Sequence, residues 1–386
     1  MKLKAFFKLI LFTAGFLLIN NRLTEIFAIK QFPPIIANVN SLADQQWLGT
    51  MRGGFYSEKK NSIDVVFVGS SQIFCDINPN VLWNEYGITS YDFSAHRQDP
   101  GTSYYYLKQM FETQSPKLVV IDLYSNGEIN LDDSDLASAH YNFDHMKKDI
   151  YRTEAIWNRT KTHRLETFFP IMMYNQRWKE LGKDELFFKP VKHDFLKGAF
   201  LYMAENQWEG SYRDMPEDSE LPGYTLPKQT VHWLNAILDL CKKHNCEVLF
   251  IKTPVCIFGY DYASQMTDLV FYSYIRELER YCEKNGISFL NMIRLVDEIG
   301  LDYRTDFVDS IHLNWYGMEK FSVYLGKYLQ ETYGLENHKD DPGMEQWNED
   351  YAQMRYYTDN FSELYQDEAE ASGESETESK EDIFLR

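Results

Sequence analysis

Two serines near the start of the chain and an aspartate–histidine pair near its end could together form a nucleophilic site. Ser70 and Ser71 lie in the stretch DVVFVGSSQIFC, and Asp309 and His312 lie in the stretch DFVDSIHLNWYG. A serine nucleophile needs a base within hydrogen-bonding reach, and the base needs a carboxylate that holds its tautomer and stabilises the imidazolium. These residue types predict attack by a serine hydroxyl on an acyl carbon, with His312 as general base and Asp309 as its partner.

The elements that must position these residues are a strand and a turn. Residues 65–68 form an apolar run typical of a strand that is buried on both faces of a parallel sheet. Ligands bind beyond the carboxyl ends of such strands, which is where the serines fall. Asp309 and His312 are three residues apart, so a turn can bring both to one side. The alternatives are a helix cap for the serines and a chance pair on a solvated loop.

Together the two stretches resemble the SGNH (GDSL-like) hydrolase superfamily. Gly69-Ser70-Ser71 stands where that family has an early Gly-x-Ser, so Ser71 matches the nucleophile and Ser70 replaces the usual acid. Asp309 and His312 match the late Asp-x-x-His. The setting DFVDSIHLNWYGMEKF is similar to the bacterial cell-envelope branch, which includes the D-alanyl transfer protein of teichoic acid synthesis and alginate O-acetyltransferases. The resemblance spans roughly residues 62–332 and implies a serine esterase or acyltransferase.

The resemblance also implies an oxyanion hole. Asn126 follows the third predicted strand where the family usually has Gly-x-Asn, and the backbone N–H of Ser71 could supply a second donor. The alternative for Asn126 is a loop residue that caps the next segment. The glycine of the family's second block has no clear counterpart. His96 and Arg97, which follow the second predicted strand, are candidates for substrate binding, and a structural role is equally open for them.

Predicted strands and helices alternate from residue 61 onward, which is typical of an α/β fold. The predicted strands are 65–68, 89–94, 117–123, 247–253 and 287–291. The predicted helices are 79–86, 101–111, 227–244, 263–285 and 316–333. Five strands with intervening helices predict a three-layer α/β/α sandwich around a mainly parallel five-stranded sheet.

The N-terminus predicts a membrane anchor. Lys2, Lys4 and Lys8 precede an apolar run from Leu9 to Ile19, a pattern that favours a cytoplasmic N-terminus and export of the polypeptide beyond the run. The run has the length of a signal-peptide core, but no clear small-x-small cleavage site comes after it. Residues 1–28 are therefore predicted to be an uncleaved signal anchor in the cell membrane, with the catalytic domain on the extracytoplasmic side. A cleaved signal peptide and a buried helix of a cytoplasmic protein are the alternatives.

The rest of the chain divides into a linker, a large domain and a tail. Residues 29–60 are predicted to be a linker and 61–337 an SGNH-like catalytic domain. Within that domain, residues 128–226 break the alternation and predict a mostly helical insertion or lid, because a structureless loop of that length is implausible. Residues 338–386 are acidic and predicted to be largely disordered, although Trp347 indicates that their first part packs.

Composition excludes several classes of partner. The net charge of −19 argues against nucleic acid. The five cysteines show no metal-ligand spacing, and no phosphate loop or convincing cluster of metal ligands is present, so no metal and no other cofactor is implied.

Two functions therefore compete. The first is a membrane-anchored extracytoplasmic esterase or acyltransferase that acts on acyl groups, above all O-acetyl groups, of a cell-envelope polysaccharide or related polymer. By resemblance, it would work beside a membrane-bound O-acyltransferase. The second is a catalytically inactive SGNH-like protein that binds glycan or an envelope-biosynthesis partner. The distance from the Ser71 hydroxyl to His312 separates the two, since a distant pair favours binding alone.

Overall fold

The computed structural model of the protein describes residues 3–28, 53–123, 136–179, 181–183, 186, 193–203, 216–256 and 262–360. Five strands form one sheet in the order β2-β1-β3-β4-β5, and every neighbouring pair is parallel. The strands are β1 Val65–Val68, β2 Ser90–Asp92, β3 Leu118–Asp122, β4 Glu247–Lys252 and β5 Ser288–Asn291.

The helices alternate with these strands. They are α1 Leu3–Ala28, α2 Ser71–Asp76, α3 Pro79–Tyr86, α4 Pro100–Met110, α5 Leu136–Phe143, α6 Ile150–Arg159, α7 Arg164–Phe168, α8 Ile171–Tyr174, α9 Lys228–Lys243, α10 Tyr262–Asn285, α11 Val296–Ile299, α12 Trp315–Tyr333 and α13 Glu345–Asp359. Short 3-10 helices lie at Asn175–Lys179, Asp218–Glu220 and Met292–Leu295.

The sheet is buried on both faces because β1 is apolar at every position and the neighbouring strands β3 and β4 are apolar except at their ends. Side chains alternate between faces along a strand. Val65 and Phe67 accordingly belong to one buried apolar cluster, and Val66 and Val68 belong to another. The first cluster includes residues of α2, α3, α12 and α13, and the second includes residues of α4, α9 and α10. The predicted three-layer α/β/α sandwich with a parallel five-stranded sheet is confirmed.

Several element ends follow from local chemistry. Helix α3 begins after Asn78, whose side chain accepts a hydrogen bond from Asn80 N–H, and it ends at Gly87 in the left-handed conformation, as predicted. The sequence predicts that Pro227 is the first residue of α9. In the structure α9 begins at Lys228, and Pro227 is its N-cap residue, with ψ in the extended region. Strand β2 pairs only over Ser90–Asp92, which is shorter than the predicted 89–94.

Packing extends beyond both predicted boundaries of the domain. Phe55, within the predicted linker, is fully buried, and its ring stacks on Phe93 with centroids 4.0 Å apart. At the other end, α13 packs on α3, where the rings of Trp347 and Trp83 lie 5.5 Å apart. The packed body therefore includes residues 53–60 and 345–359. The acidic stretch predicted to be disordered, 366–382, lies outside the described residues.

The predicted insertion is helical where it is described between 136 and 179, with four short α-helices and one 3-10 helix.

Helix α1 is much longer than the apolar run that predicted it. Residues Leu3–Phe27 are long and apolar enough to cross a membrane, with a mean hydropathy of 1.7. One such helix near an N-terminus is compatible with an anchor and with a signal sequence.

Candidate active site

The turn between β1 and α2 presents Ser71 at the carboxyl end of the sheet. Gly69 permits this turn, because a Cβ at that position would lie 2.7 Å from the Asp122 carbonyl oxygen and 2.9 Å from Ile73 Cγ1. Ser70 is the cap residue of α2, and its hydroxyl accepts from Gln72 N–H at 3.4 Å. Ser71 is the first residue of the helix, where N–H groups lack an intrahelical acceptor. The two adjacent serines therefore have different roles in the backbone.

Ser71, His312 and Asp309 form a continuous hydrogen-bonded chain. The Ser71 Oγ lies 2.8 Å from His312 Nε2, and His312 Nδ1 lies 2.8 Å from Asp309 Oδ2. With the proton on Nδ1, the ring donates to the carboxylate and its Nε2 accepts the serine hydroxyl. This is the arrangement in which a histidine can take up the proton of a serine nucleophile.

The loop that carries the pair is closed on itself. Phe307 and Leu313 form an antiparallel bridge, and Asp309 Oδ1 accepts from the backbone N–H groups of Ile311 and His312, both at 2.8 Å. Asn314 then caps α12, accepting from two backbone N–H groups at 3.1 Å. Because the Asp309 carboxylate is held by backbone donors, the Asp-x-x-His spacing fixes the position of the imidazole relative to it.

Helix α2 holds this loop on both sides of His312. Gln72 Nε2 donates to the Ile311 carbonyl at 3.1 Å, and Asp76 Oδ1 accepts from Leu313 N–H at 2.9 Å. Both side chains are buried. Ser71 and His312 are therefore held together by two further hydrogen bonds between the same two elements. The sequence did not identify Gln72 and Asp76 as site residues. The signal available for them was that they are polar residues directly after a predicted buried strand, and the structure shows that the helix carrying them is buried throughout.

A buried ion pair orients the Gln72 amide. Lys252, at the end of β4, is 1 % exposed, and its Nζ lies 3.2 Å from Asp122 Oδ1 and 2.5 Å from Gln72 Oε1. A buried ammonium requires such partners because desolvation is costly. Since the ammonium can only donate, it fixes the amide oxygen toward Lys252 and leaves the amide nitrogen for Ile311. Lys252 was also missed, because in the sequence it is only a residue near the end of the predicted strand 247–253.

The histidine and the aspartate stabilise each other's charge. Burial lowers the pKa of His312, but the hydrogen bond and negative charge of Asp309, with Asp76 adding to them, outweigh burial and raise it above 6.5. Burial acts to raise the pKa of Asp309, but the hydrogen bond and charge of His312 and the loop N–H groups hold it below 3.8. The site thus favours an imidazolium beside a carboxylate, the pair formed when the histidine accepts a proton.

The raised pKa of His312 predicts an acid limb in the activity. Only the neutral ring can accept the Ser71 proton, so turnover should increase as the pH rises through the pKa of His312. We expect the midpoint of kcat/KM against pH to lie above 6.5. Hydrolysis of an activated acetyl ester, measured between about pH 5 and 9, tests this. A midpoint below 6.5 would contradict the arrangement.

Asp76 predicts a second pH effect, on stability. Burial raises its pKa from 3.8 to about 7, although His312 and the Leu313 N–H oppose the shift. A carboxyl that binds its proton more tightly when folded destabilises the protein as the pH rises between those values, by about 1.4 kcal/mol per pKa unit. Asp76→Asn keeps the oxygen that accepts from Leu313 and removes the charge.

We therefore expect Asp76→Asn to raise Tm relative to the parent, and to do so more at about pH 8 than at about pH 5. The difference should grow up to the raised pKa and stay constant above it. Thermal unfolding of both proteins across this range measures it. A Tm difference that does not change with pH would show that Asp76 titrates normally.

His96 and Arg97, the candidates for substrate binding, follow β2 at the same end of the sheet. The turn after β2 is joined to the nucleophile loop by a hydrogen bond from Ala95 N–H to the Gly69 carbonyl, at 3.2 Å. His96 follows it, with its ring 5.4 Å from that of Tyr141, and Arg97 is exposed with φ +51°. Their role in substrate binding stays a prediction. Asn126 lies outside the described residues.

The predicted insertion contributes a wall to the site. The Tyr202 ring lies 6.1 Å from the His312 ring, and its carbonyl accepts from Trp315 N–H at 3.0 Å, at the start of α12. Ser71 is 3 % and His312 6 % exposed. The reacting atoms are thus largely shielded from water, and Tyr202 is a contact that the aromatic content of the insertion indicated without identifying the residue.

No protein-family model matches the chain, and no curated protein matches it. Solved structures that resemble it include a GDSL-like lipase from Bacteroides thetaiotaomicron, at 11% sequence identity and a TM-score of 0.31, which covers 69% of this chain and 87% of the lipase. An acetylxylan esterase from Geobacillus stearothermophilus, crystallised as a catalytic mutant, has 11% identity and a TM-score of 0.35, with 72% of this chain and 96% of the esterase covered. The chemistry of this chain is inferred from its own residues.

Proposed function

We propose that this protein is a membrane-anchored serine esterase or acyltransferase of the SGNH type that acts on acyl groups, above all O-acetyl groups, of an extracytoplasmic polysaccharide or related polymer. The observation that supports it most is the chain of two 2.8 Å contacts from Ser71 Oγ through His312 to Asp309. These residues come from opposite ends of the chain, and the surrounding hydrogen bonds hold them in the geometry of a general-base-assisted nucleophile.

In the first half of the reaction, Ser71 Oγ bonds to the acyl carbon while His312 Nε2 takes the hydroxyl proton. The carbonyl oxygen becomes an oxyanion, and the Ser71 N–H, at the first position of α2, is placed to donate to it. Asn126 is the second donor by resemblance to the family. Collapse of the intermediate breaks the bond to the alcohol oxygen, which takes the proton back from His312 and leaves an acyl-enzyme.

In the second half, water or a sugar hydroxyl gives its proton to His312 and attacks the acyl carbon. Loss of Ser71 Oγ, which recovers that proton, releases a carboxylic acid or a new ester. Hydrolysis and transfer thus use the same three side chains, and the difference lies in which hydroxyl reaches the acyl-enzyme. Transfer would require an acyl donor, for which a membrane-bound O-acyltransferase is the proposed partner.

Location and substrate class are supported by the N-terminus. Lys2, Lys4 and Lys8 precede the apolar run Leu9–Ile19 of α1, a charge distribution that favours a cytoplasmic N-terminus and export of the following domain. A catalytic domain on that side would meet acyl esters carried by envelope polymers, which is why such a polymer is the proposed substrate. The rival function, glycan or partner binding without catalysis, is disfavoured because the Ser71 hydroxyl and His312 are in contact.

The test is to trap the acyl-enzyme. The full chain in nanodiscs is mixed with an activated acetyl ester, quenched with acid, digested and analysed by mass spectrometry. We expect one acetyl group on the peptide that contains Ser71, and its loss to water or to an added acetyl-acceptor oligosaccharide distinguishes hydrolysis from transfer. A folded protein that neither forms the adduct nor releases acetate would overturn the proposal and favour binding.

A further inference from the structure

The exposed apolar side chains of the body are concentrated in one part of the insertion. Of the ten large apolar side chains that are exposed in the described residues outside α1, six lie between residues 150 and 186: Ile150, Trp157, Leu165, Met172, Trp178 and Leu186. Single exposed apolar residues are ordinary in soluble proteins, whereas a concentration of them marks an interaction surface.

Contacts between the short helices connect these side chains. Ile150 and Trp157 are seven residues apart on α6, so they share one face of that helix. The Arg164 guanidinium lies 4.3 Å from the centre of the Trp157 ring and donates to the Trp157 carbonyl, so α7, which also carries Leu165, begins beside α6. Helix α7 in turn contacts α8, which carries Met172. We call Trp157, Leu165, Met172 and Trp178 the interfacial surface.

The interfacial surface is continuous with α1. Helix α8 and the 3-10 helix that carries Trp178 both contact α1. The Phe169 ring lies 6.4 Å from that of Phe16, and Lys148 Nζ donates to Asn21 Oδ1 at 2.8 Å. These contacts place the insertion beside the second half of α1.

Burial along α1 locates the place where it leaves the body. Apart from the half-buried Gly15, the helix is exposed from Leu3 to Ile19. Its first buried residues are Thr24 and Ile26. The exposed part spans about 25 Å at 1.5 Å per residue, close to the roughly 30 Å hydrocarbon core of a bilayer. The insertion therefore contacts α1 at the level where a bilayer crossed by that helix would end.

The charge of the same segment suits a lipid surface. Residues 147–186 contain nine Lys and Arg against six Asp and Glu, giving +3 in a chain whose net charge is −19. Five of its lysines are exposed: Lys147, Lys148, Lys161, Lys179 and Lys183. Tryptophan beside basic residues is typical of segments that lie in the headgroup region, and basic clusters are attracted to anionic lipids.

We infer that the interfacial surface rests in the headgroup region of the bilayer that α1 crosses and that its partner is anionic phospholipid. The inference depends on the membrane anchor of the proposed function. It gives the insertion a second role besides contributing Tyr202 to the site, since it would fix the height and orientation of the catalytic domain above the membrane.

Depth-dependent fluorescence quenching tests the inference on the full chain. Met172→Cys, Leu165→Cys and Trp178→Cys are each labelled with the environment-sensitive fluorophore NBD in nanodiscs that contain phosphatidylglycerol, and lipid-attached nitroxides serve as quenchers. Val323→Cys and Tyr356→Cys, exposed apolar positions on α12 and α13, are the matched controls. Leu11→Cys reports on α1. The five native cysteines are buried, and the labelled parent gives the background.

We expect quenching at 165, 172 and 178 to be at least about twofold stronger than at 323 and 356, and to weaken when phosphatidylglycerol is replaced by a zwitterionic lipid. Quenching at 11 but not at 165, 172 or 178 would overturn the interfacial surface and leave the anchor intact, favouring a protein partner there. Absence of quenching at 11 would overturn the anchor and the inference with it. Catalysis is measured separately by acyl-enzyme formation.

Discussion

Ser71→Ala is expected to reduce ester turnover by roughly 10⁴-fold to 10⁶-fold and to abolish covalent labelling by a fluorophosphonate. The reason is that the hydroxyl 2.8 Å from His312 Nε2 is the only group in the described site placed to give its proton to that nitrogen. In-gel fluorescence of the labelled full chain, together with initial rates on an acetyl ester, measures the effect.

Ser70→Ala is the matched control, one residue away. It removes the hydroxyl that caps α2 and should lower the stability by about 1 kcal/mol while labelling is retained. Circular dichroism melting of both variants shows that they are folded. If Ser70→Ala loses the label and Ser71→Ala keeps it, the nucleophile has been assigned to the wrong serine.

Asp309→Asn is expected to reduce kcat/KM by roughly 10²-fold to 10⁴-fold with little change in folding. Its Oδ1 accepts from the Ile311 and His312 N–H groups, so an asparagine would keep its oxygen there and turn its NH₂ toward His312. The ring must then accept at Nδ1 and carry its proton on Nε2, where it cannot take the Ser71 proton. Since 43 % of the Asp309 side chain is exposed, water screens its interaction with His312, and the loss of kcat/KM is smaller than for a fully buried carboxylate.

A second signature separates this effect from a general disturbance. Losing the carboxylate removes the interaction that raises the pKa of His312, so the acid limb of the remaining activity should move to lower pH. Asp341→Asn is the control, because Asp341 is paired with His338 three residues away in the same manner, at 2.6 Å. Equal losses in the two variants, or an unmoved acid limb, would contradict the role of Asp309.

The resemblance to SGNH hydrolases and the local patterns were sufficient to predict the fold class and to bring Ser71, Asp309 and His312 together as candidates. The placement of Ser71 has a physical reason. The apolar run 65–68 is typical of a strand buried on both faces, and a turn directly after such a strand lies at the carboxyl end of a parallel sheet. Asp309 and His312 are close in sequence, so their pairing needed only a turn.

The details of the site depended on contacts that no local pattern contains. The hydrogen bond from Gln72 to the Ile311 carbonyl joins residues 239 positions apart in the sequence, and the one from Lys252 to Gln72 joins residues 180 positions apart. In the sequence Lys252 is an ordinary residue near the end of a predicted strand, whereas the structure buries it beside Asp122, where its ammonium orients the Gln72 amide. The same limitation concealed the packing of residues 53–60, which are predicted to be part of a linker, and it left open where residues 345–359 pack, although Trp347 indicated that they do.

By itself, then, the sequence determined the α/β fold, the strand that delivers Ser71, the turn that pairs Asp309 with His312 and the apolar run within α1. Only the tertiary structure decided whether the Ser71 hydroxyl reaches the imidazole, which polar side chains hold the two halves of the site together and where the insertion lies against α1. The physical reason is range: turns and strands follow from neighbouring residues, whereas the 2.8 Å contact between Ser71 and His312 joins residues 241 positions apart and depends on the packing of the whole sheet.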